Sequence, residues 1–279
     1  MSSFDKFCER ILEINNSFCN EVPSMVRTHY FLDELINFLF PIKIDKQLDI
    51  YDMKNRLHEL RYLFRKLISP LAPHIEKDVE DVTTLFFTKM PEIYQGLLKD
   101  AEVYHKSDPA SFCVEEIILS YPGFYAISIY RFANYLYRMK IPILPRVMSE
   151  YAHNKTGIDI HPGAEIGEHF YIDHGTGIVI GESATIGNNV KMYQGVTLGA
   201  IYVEKGLSNQ KRHPTIQDNV IIYAGGTILG GETIIGHDTT IGGNVWITES
   251  VPPFSVVYRR PKIIIKDSKE FTEPINFII

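Results

Sequence analysis

The segment from Ile160 to Val196 reads IHPGAEIGEHFYIDHGTGIVIGESATIGNNVKMYQGV, and its aliphatic residues recur every six positions. A second run with the same spacing follows after an interruption. The positions expected to face inward are Ile160, Ile166, Ile172, Ile178, Ala184, Val190 and Val196, then Ile216, Ile222, Ile228, Ile234, Thr240 and Trp246. Neither the period of an amphipathic helix nor strand alternation gives this spacing. A parallel β-helix does, because each short side places one aliphatic residue inside before the chain turns a corner.

The interruption between the two runs has a definable length. Ile216 follows Val196 by 20 residues, which is two more than a multiple of six. The six-residue spacing is therefore kept only if the insertion is 8, 14 or 20 residues long. Composition favours 14, because residues 200–213 (AIYVEKGLSNQKRH) are polar and charged, whereas Pro214 begins scaffold-like sequence again. We therefore predict an inserted loop over 200–213. Long loops inside compact folds are usually functional or disordered.

The region before the repeat carries helical patterns instead. Apolar residues recur at helical spacing between Leu57 and Ile68 and again between Ala126 and Tyr137, and several prolines indicate helix limits. We expect an α+β protein with an α-helical oligomerisation domain over 1–154, a β-helix over 155–257 and a C-terminal tail over 258–279. The tail is polar but ends in two isoleucines, which a partner protein could bind.

The bulk composition excludes several classes of protein. The 279 residues carry a net charge of −6, which argues against a nucleic-acid-binding surface. The three cysteines, Cys8, Cys19 and Cys113, have neither metal-ligand spacing nor even pairing, as suits a reducing compartment. The first residues lack the apolar core of a signal peptide, and no segment is apolar over the length needed to span a membrane. The cytoplasm is therefore the expected location.

Two residues in the repeat are candidates for acid–base catalysis. A β-helix needs no histidine for its core, and Gly175 and Gly177 leave the surface beside His174 open. Asp159 precedes His174 by nearly one coil of three six-residue sides. A carboxylate there can hold one imidazole nitrogen, so that the other accepts a proton from an alcohol. The alternative is that His174 only caps a turn.

Arg212 and His213 end the predicted loop where it rejoins the scaffold. Arginine offers a planar, two-pronged contact to a carboxylate. His213 can donate to a substrate carboxylate or to an oxyanion that develops during reaction. The alternative is a solvated basic run, Lys211-Arg212-His213.

Six segments carry a family pattern in chain order. They are Asp108-Pro109-Ala110, Asp159-Ile160-His161-Pro162, residues 172–182 (IDHGTGIVIGE), residues 194–199 (QGVTLG), Arg212-His213-Pro214 and residues 224–230 (AGGTILG). Together they resemble the serine O-acetyltransferases, over about residues 105–257. The six-residue spacing alone indicates only the wider hexapeptide-repeat acyltransferase superfamily, whose repeat folds as a left-handed β-helix. The Asp-His-x-Thr-Gly and Arg-His-Pro motifs narrow it to the serine enzymes.

The resemblance implies a reaction and roles for residues. Acetyl would move from acetyl-CoA to the hydroxyl of L-serine without a covalent acyl-enzyme, giving O-acetyl-L-serine for cysteine biosynthesis, and no metal is needed. His174 would be the general base and Asp159 its orienting partner. The substrate-binding residues would be Asp108 and Asp173 for the ammonium, and Arg212 with His213 for the carboxylate or the intermediate. The coenzyme would contact Gly199, Ala200, Ala224 and Lys262.

The resemblance also implies partners. The active site would lie between neighbouring chains of a homotrimer, and two trimers would join through the helical regions. L-Cysteine would inhibit at the serine site, and the C-terminal Ile279 would insert into O-acetylserine sulfhydrylase.

The chain departs from the family pattern at two places near the coenzyme site. Ala200 stands where the family has a second glycine, and residues 258–263 (YRRPKI) replace its usual Gly-x-Pro-Ala-Lys edge.

Two other functions stay open. One is an acyltransferase for homoserine or a sugar, although Asp108 and Arg212 together suit an amino acid. The other is a non-catalytic scaffold that docks onto the sulfhydrylase, although such a scaffold has no need of Asp159 and His174.

Overall fold

The computed structural model describes residues 2–18, 22–43, 48–202 and 210–260, and these form a helical region followed by a β-helix. Lys262 and Ile279 and the middle of the predicted loop, 203–209, lie outside the described residues. The helices are α1 Ser3–Ser17, α2 Met25–Leu39, α3 Ile50–Ile68, α4 Val79–Ser107, α5 Val114–Ser120, α6 Pro122–Arg138 and α7 Leu144–Thr156. Short 3₁₀ turns cover Pro41–Lys43 and Ser69–His74.

Fourteen short strands follow the helices in the described part of the chain. They are β1 Asp159–Ile160, β2 Glu165–Ile166, β3 Tyr171–Asp173, β4 Val179–Ile180, β5 Thr185–Ile186, β6 Lys191–Tyr193, β7 Thr197–Gly199, β8 Thr215–Ile216, β9 Ile221–Ile222, β10 Thr227–Leu229, β11 Ile234–Ile235, β12 Thr240–Ile241, β13 Trp246–Ile247 and β14 Val256–Val257. They form three parallel sheets: sheet A (β1-β4-β7-β10-β13), sheet B (β2-β5-β8-β11) and sheet C (β3-β6-β9-β12-β14). Every third strand thus stacks in one sheet, which confirms the predicted left-handed parallel β-helix.

The coils differ in length, contrary to the expected three equal sides of six. Ile160 pairs with Ile180, twenty residues later, whereas Ile180 pairs with Leu198, eighteen later. The first coil is longer because the corner after Ile172 holds two extra residues within Asp173–Gly177. The corner that carries the candidate base, His174, is therefore an extended corner.

The inward-facing positions are confirmed in the first run and partly wrong in the second. All the positions predicted to face inward from Ile160 to Ile228 are buried except Ile166, which is half-buried. By contrast, Ile234 is 43% exposed and Trp246 is 69% exposed, and Thr240 is only half-buried. The buried residues there are Ile235, Ile241 and Ile247. Ile235 follows Ile228 by seven residues instead of six, because the corner between them holds one extra residue. Every later inward-facing position is therefore one residue further along the chain than predicted.

The predicted length of the insertion is also wrong. Each side buries two alternate residues, such as Val196 and Leu198, so Val196 is not the equivalent of Ile216. Leu198 and Ile216 are the equivalent pair, and they stand eighteen residues apart instead of six. The insertion therefore adds twelve residues and not 14. The loop limits of 200–213 and the division into three domains stay predictions.

The helices pack directly on the first coil, so that one hydrophobic core runs from α2 into the β-helix. Asp100 of α4 is fully buried and pairs with Arg131 of α6 at 2.7 Å, while its other oxygen accepts the Phe170 N–H at 3.1 Å. The Tyr130 hydroxyl donates to the Ala164 carbonyl at 2.6 Å. Gly157, with φ +70°, ends α7 and turns the chain into β1. Within the described ranges, no helix combines the length and apolar character needed to cross a membrane.

Candidate active site

His174 lies at the extended corner between β3 and β4, with a largely exposed side chain. Its backbone is left-handed, with φ +56°, and Gly175 and Gly177 beside it have φ +81° and +79°. A Cβ on Gly175 would lie 2.5 Å from Cδ1 of Ile158, so this position requires glycine. A non-glycine residue in this conformation is strained, and such strain is typical of functional sites. The corner therefore holds the His174 imidazole, 70% exposed, away from the core.

Asp173 ends β3 and holds the backbone of His174. Its Oδ1 accepts the His174 backbone N–H at 2.9 Å, and Nδ1 of the imidazole lies 3.8 Å from the same oxygen. On the outer face of sheet C, Asp173 is the direct neighbour of Tyr193 in β6, whose ring stacks on Tyr223 at 5.0 Å. The carboxylate and the imidazole thus share one exposed edge, walled by aromatic rings.

Asp108 caps the C-terminal end of α4 and faces the same corner. Its Oδ1 accepts the Ala110 N–H at 2.8 Å, and its Oδ2 accepts a short hydrogen bond from the Tyr121 hydroxyl. The hydrogen bond from Tyr121, followed by that from Ala110, lowers the pKa of Asp108, and the positive charge of a protonated His174 adds to this effect. The structure therefore brings together Asp108, Asp173 and His174. That these residues form an ammonium site beside a general base, as the resemblance implies, stays a prediction.

Asp159 is on the same side of the molecule but has other neighbours. It is the first residue of β1, opposite Val179, and its carboxylate lies within 4.8 Å of the polar atoms of Glu150 and His153. Among the described residues, no hydrogen bond joins Asp159 to His174 within one chain. The pairing of these two residues stays a prediction.

His213 is held at the opposite corner, where sheet A turns into sheet B. It is 8% exposed, and its Nδ1 accepts the backbone N–H of Ser183 at 3.1 Å. Burial, with the positive charge of Arg212, lowers the pKa of His213 to about 4. The imidazole is therefore neutral near pH 7, and because Nδ1 is an acceptor, its proton is on Nε2, which can donate.

Ser183 and Gly181 fix this imidazole, and the sequence pointed to neither. The Ser183 hydroxyl accepts the backbone N–H groups of Arg212 at 2.9 Å and His213 at 3.1 Å, and it contacts His213 Nδ1 at 2.9 Å. A Cβ on Gly181 would overlap the His213 ring. Ser183 and His213 occupy equivalent positions on successive coils, just before the paired strands β5 and β8, so the correct register could have identified Ser183.

Arg212 is oriented by an acidic residue that the sequence also did not single out. Its guanidinium pairs with Glu182, which in turn accepts the Tyr137 hydroxyl at 2.6 Å. Partial burial alone would raise the pKa of Glu182, but the hydrogen bonds from Tyr137 and Arg212, together with the positive charges of His161 and Arg212, lower it overall. Tyr137, Glu182, Ser183 and Arg212 line an open groove of about 440 Å³. A guanidinium has five donors, so it can bind more than one carboxylate.

The two corners are separate in a single chain. His174 lies at the edge where the chain passes from sheet C into sheet A, and Arg212 lies at the edge where it passes from sheet A into sheet B. The width of sheet A therefore separates the two corners. The coenzyme candidates divide in the same way. Gly199 ends β7 and Ala200 follows it at the Arg212 corner, whereas Ala224 comes after β9 at the His174 corner. The candidate residues of one chain therefore lie in two groups, one at the His174 corner and one at the Arg212 corner, and we call these groups the two half-sites.

The chain is similar in sequence to serine acetyltransferases of two bacteria. The "serine acetyltransferase, plasmid" of Synechococcus elongatus is 40% identical over 244 residues, covering 84% of this chain and 72% of that protein. The serine acetyltransferase of Bacillus subtilis is 42% identical over 184 residues, covering 66% and 82%. No family model matches the chain.

Solved structures agree. Serine acetyltransferase 1 of Entamoeba histolytica, in complex with L-cysteine, superposes with a TM-score of 0.75 at 36% identity over 82% of this chain and 86% of that one. The Neisseria gonorrhoeae serine acetyltransferase, in complex with serine, gives 0.59 at 26% identity over 83% and 95%. The identity and coverage of these relatives confirm the resemblance that the Asp-His-x-Thr-Gly and Arg-His-Pro motifs indicated, and the chain belongs to the serine acetyltransferase family of acyltransferases.

Proposed function

We propose that this chain transfers the acetyl group of acetyl-CoA to the hydroxyl of L-serine, giving O-acetyl-L-serine and free coenzyme A. The observation that carries the proposal is the arrangement of Asp108 and Asp173 at one edge with His174. Two carboxylates held by hydrogen bonds suit the ammonium of an amino acid, and an exposed imidazole beside them suits the removal of a proton from its hydroxyl.

The reaction follows from these positions. Asp108 and Asp173 bind the serine ammonium, and His174 takes the Oγ proton while Oγ attacks the thioester carbonyl. The tetrahedral intermediate collapses, the carbon–sulfur bond breaks, and the imidazolium returns the proton to the departing thiolate. Asp159 would hold the other imidazole nitrogen. No acyl-enzyme forms, because serine attacks directly.

Arg212 and His213 complete the recognition of serine. The guanidinium, steadied by Glu182, binds the serine carboxylate. The neutral His213 donates from Nε2 to that carboxylate or to the oxyanion. The coenzyme would run along the corners that contain Gly199, Ala200 and Ala224, and Lys262 would meet its phosphates.

We propose a homotrimer because each chain carries the two half-sites at opposite corners. A three-fold assembly places the His174 corner of one chain against the Arg212 corner of the next. Association of trimers through the helical region is supported by α1, in which no residue is buried. Its apolar residues Phe4, Phe7, Ile11 and Ile14 recur at spacings of three and four, the pattern of a helix–helix interface.

Two further ligands belong to the proposal. L-Cysteine differs from L-serine only by sulfur in place of the hydroxyl oxygen, so it fits the same contacts and would inhibit, in line with the cysteine complex of the Entamoeba relative. The C-terminal Ile279 would dock into O-acetylserine sulfhydrylase, and deletion of Ile278 and Ile279 should abolish that binding in calorimetry while acetylation persists. The cytoplasm stays the proposed location.

The direct test is release of free thiol from acetyl-CoA with L-serine, L-homoserine or a sugar as acceptor. We expect serine to be preferred. The His174→Ala variant should lose at least ~10²-fold in kcat, the lower range for loss of a general base. Near-normal turnover in this variant would exclude the mechanism, and a preference for homoserine or a sugar would identify another acyltransferase.

A further inference from the structure

Tyr121 lies between α5 and α6, at the edge of the Asp108 half-site. Its backbone N–H ends α5 by donating to the Ile117 carbonyl at 3.1 Å, and Pro122 starts α6 directly afterwards. Its half-buried ring meets the fully buried ring of Tyr104 edge-on at 6.2 Å. Backbone and ring packing therefore hold the phenol in one orientation.

The phenol hydroxyl is the side-chain donor that holds Asp108. It donates to Oδ2, while the Ala110 N–H donates to Oδ1, so each carboxylate oxygen has one fixed donor. Two donors on different oxygens define the plane of a carboxylate, and an ionised carboxylate has further lone pairs for a third partner. Asp108 is thus oriented and still able to bind a cation.

The same framework holds the second carboxylate. The Tyr104 hydroxyl accepts the Ile172 N–H at 3.0 Å, immediately before Asp173, and the Tyr104 carbonyl accepts the Asp108 N–H at 3.0 Å. Gly123 permits this contact, because a Cβ there would lie 2.6 Å from the Ile172 carbonyl and 2.7 Å from the Tyr104 hydroxyl. Hydrogen bonds to the buried Tyr104 therefore position the backbone at both aspartates, and the hydrogen bond from Tyr121 orients the Asp108 carboxylate.

This inference rests on the proposed function. We propose that Tyr121 is a positioning residue for amino-acid binding: its phenol turns the Asp108 carboxylate toward the ammonium of the acceptor, so that Asp108 and Asp173 grip it together. Tyr121 touches neither the hydroxyl that reacts nor the thioester, and it acts through Asp108 alone.

The ionisation states agree with this geometry. The hydrogen bond to Asp108 raises the pKa of Tyr121 to about 12, so the phenol remains a donor throughout the neutral range. The same hydrogen bond lowers the pKa of Asp108, which favours the charged form that an ammonium requires.

The test is steady-state kinetics of the full chain carrying Tyr121→Phe, which removes the hydroxyl and keeps the ring. We expect KM for L-serine to rise about 10-fold or more, in the range for a lost hydrogen bond to a charged group, while kcat and KM for acetyl-CoA stay within about twofold. Binding of L-serine measured by calorimetry should weaken by the same factor. Tyr62→Phe, a change on the exposed face of α3, serves as the matched control.

The outcomes separate the two proposals. If the unchanged protein acetylates serine and Tyr121→Phe leaves KM for serine unaltered, or lowers only kcat, Tyr121 has no positioning role although the function stands. If the unchanged protein instead prefers another amino acid, the proposed acceptor is wrong, and the same KM split measured with that amino acid still decides the role of Tyr121. If it acetylates no amino acid, both proposals fail.

Discussion

Ser183 holds His213 from one coil below, with its backbone N–H donating to Nδ1 at 3.1 Å and its hydroxyl contacting the same atom at 2.9 Å. The hydroxyl also accepts the backbone N–H groups of Arg212 and His213. The Ser183 hydroxyl thus ties the end of the inserted loop to the scaffold, and the Ser183 backbone N–H makes Nδ1 of His213 an acceptor, so that Nε2 is the nitrogen that can donate.

Removal of that hydroxyl should loosen the carboxylate-binding half-site. In Ser183→Ala, two backbone N–H groups lose their acceptor, each at a cost of about 1–3 kcal/mol if it stays buried and unpaired. We expect KM for L-serine to rise about 10-fold and the melting temperature to fall by several degrees. The measurements are serine titrations in the thiol-release assay and thermal unfolding. Unaltered serine kinetics would show that the hydroxyl does not organise Arg212 and His213.

Gly181 should tolerate no side chain, because His213 occupies the space above it. A Cβ at this position would overlap the imidazole, so Gly181→Ala must displace His213 or the loop end. We expect kcat/KM for serine to fall about 10²-fold, the size of effect produced by loss of one donor to an oxyanion.

The matched control for Gly181 is Gly96→Ala in α4, where a Cβ would meet nothing within 4 Å. Alanine is favoured over glycine inside a helix by about 0.5–1 kcal/mol, so this variant should keep full activity and unfold at a slightly higher temperature. If Gly181→Ala and Gly96→Ala are equally active, the position of the His213 imidazole does not matter for the reaction.

The lowered pKa of His213 has a consequence for stability. The folded protein binds a proton on His213 only near pH 4, whereas the unfolded chain binds it near 6.5. Between these values the unfolded state holds more protons, so the free energy of unfolding must fall as the pH is lowered from about 6.5 to 4.

His213→Gln isolates this contribution from other titrating groups. The difference in unfolding free energy between the unchanged protein and the variant should shrink by about 2–3 kcal/mol from pH 7.5 to 4.5. Urea unfolding at the two pH values measures it. A difference that is independent of pH would mean that His213 is not held neutral by its surroundings.

The buried pair of Asp100 and Arg131 should secure the joint between the helices and the first coil. Burial raises the pKa of Asp100, although Arg131 and the Phe170 N–H oppose this. Asp100→Ala leaves Arg131 without its partner, so we expect a loss of about 3–5 kcal/mol in unfolding free energy.

The double variant Asp100→Leu with Arg131→Leu tests whether the loss comes from the unpaired charge. Because no charge is then left unpaired, it should unfold at a higher urea concentration than Asp100→Ala. If the double variant is the less stable of the two, the pair contributes more than mutual neutralisation.

The sequence predicted the scaffold well because a β-helix repeats a local rule. Ile160, Ile172 and Ile222 obey it and are buried. The prediction was wrong at Ile234 and Trp246, because one extra residue in a corner shifts all later inward-facing positions by one. The amino-acid composition of that corner does not reveal the extra residue. The wrong insertion length has a different cause: Val196 and Leu198 both face inward, so the inward positions alone do not tell which of the two is equivalent to Ile216.

The structure brings some of the candidate site residues together and separates others, and their chemical roles stay predictions. Asp108, Asp173 and His174 come together as expected, although Asp108 belongs to the helical region and the other two to the first coil of the β-helix. Tyr121, Glu182 and Ser183 were missed, because their roles depend on hydrogen bonds to partners distant in the sequence and no spacing rule predicts them. That His174 and Arg212 lie on opposite sides of sheet A could not be predicted from their spacing in the sequence, because it depends on which corner of the β-helix each residue occupies.

We propose that the active site combines the His174 corner of one chain with the Arg212 corner of its neighbour, and a mixture of two variants tests this arrangement most directly. We expect His174→Ala and Arg212→Ala to be inactive when each is prepared alone. The two variants can be combined by co-expression or joint refolding and assayed with acetyl-CoA and L-serine. Random assembly in equal amounts should restore about a quarter of the unchanged activity, because one in four interfaces then pairs two intact corners. Activity no higher than that of the separate variants would show that each chain works with its own two corners, and would contradict the account.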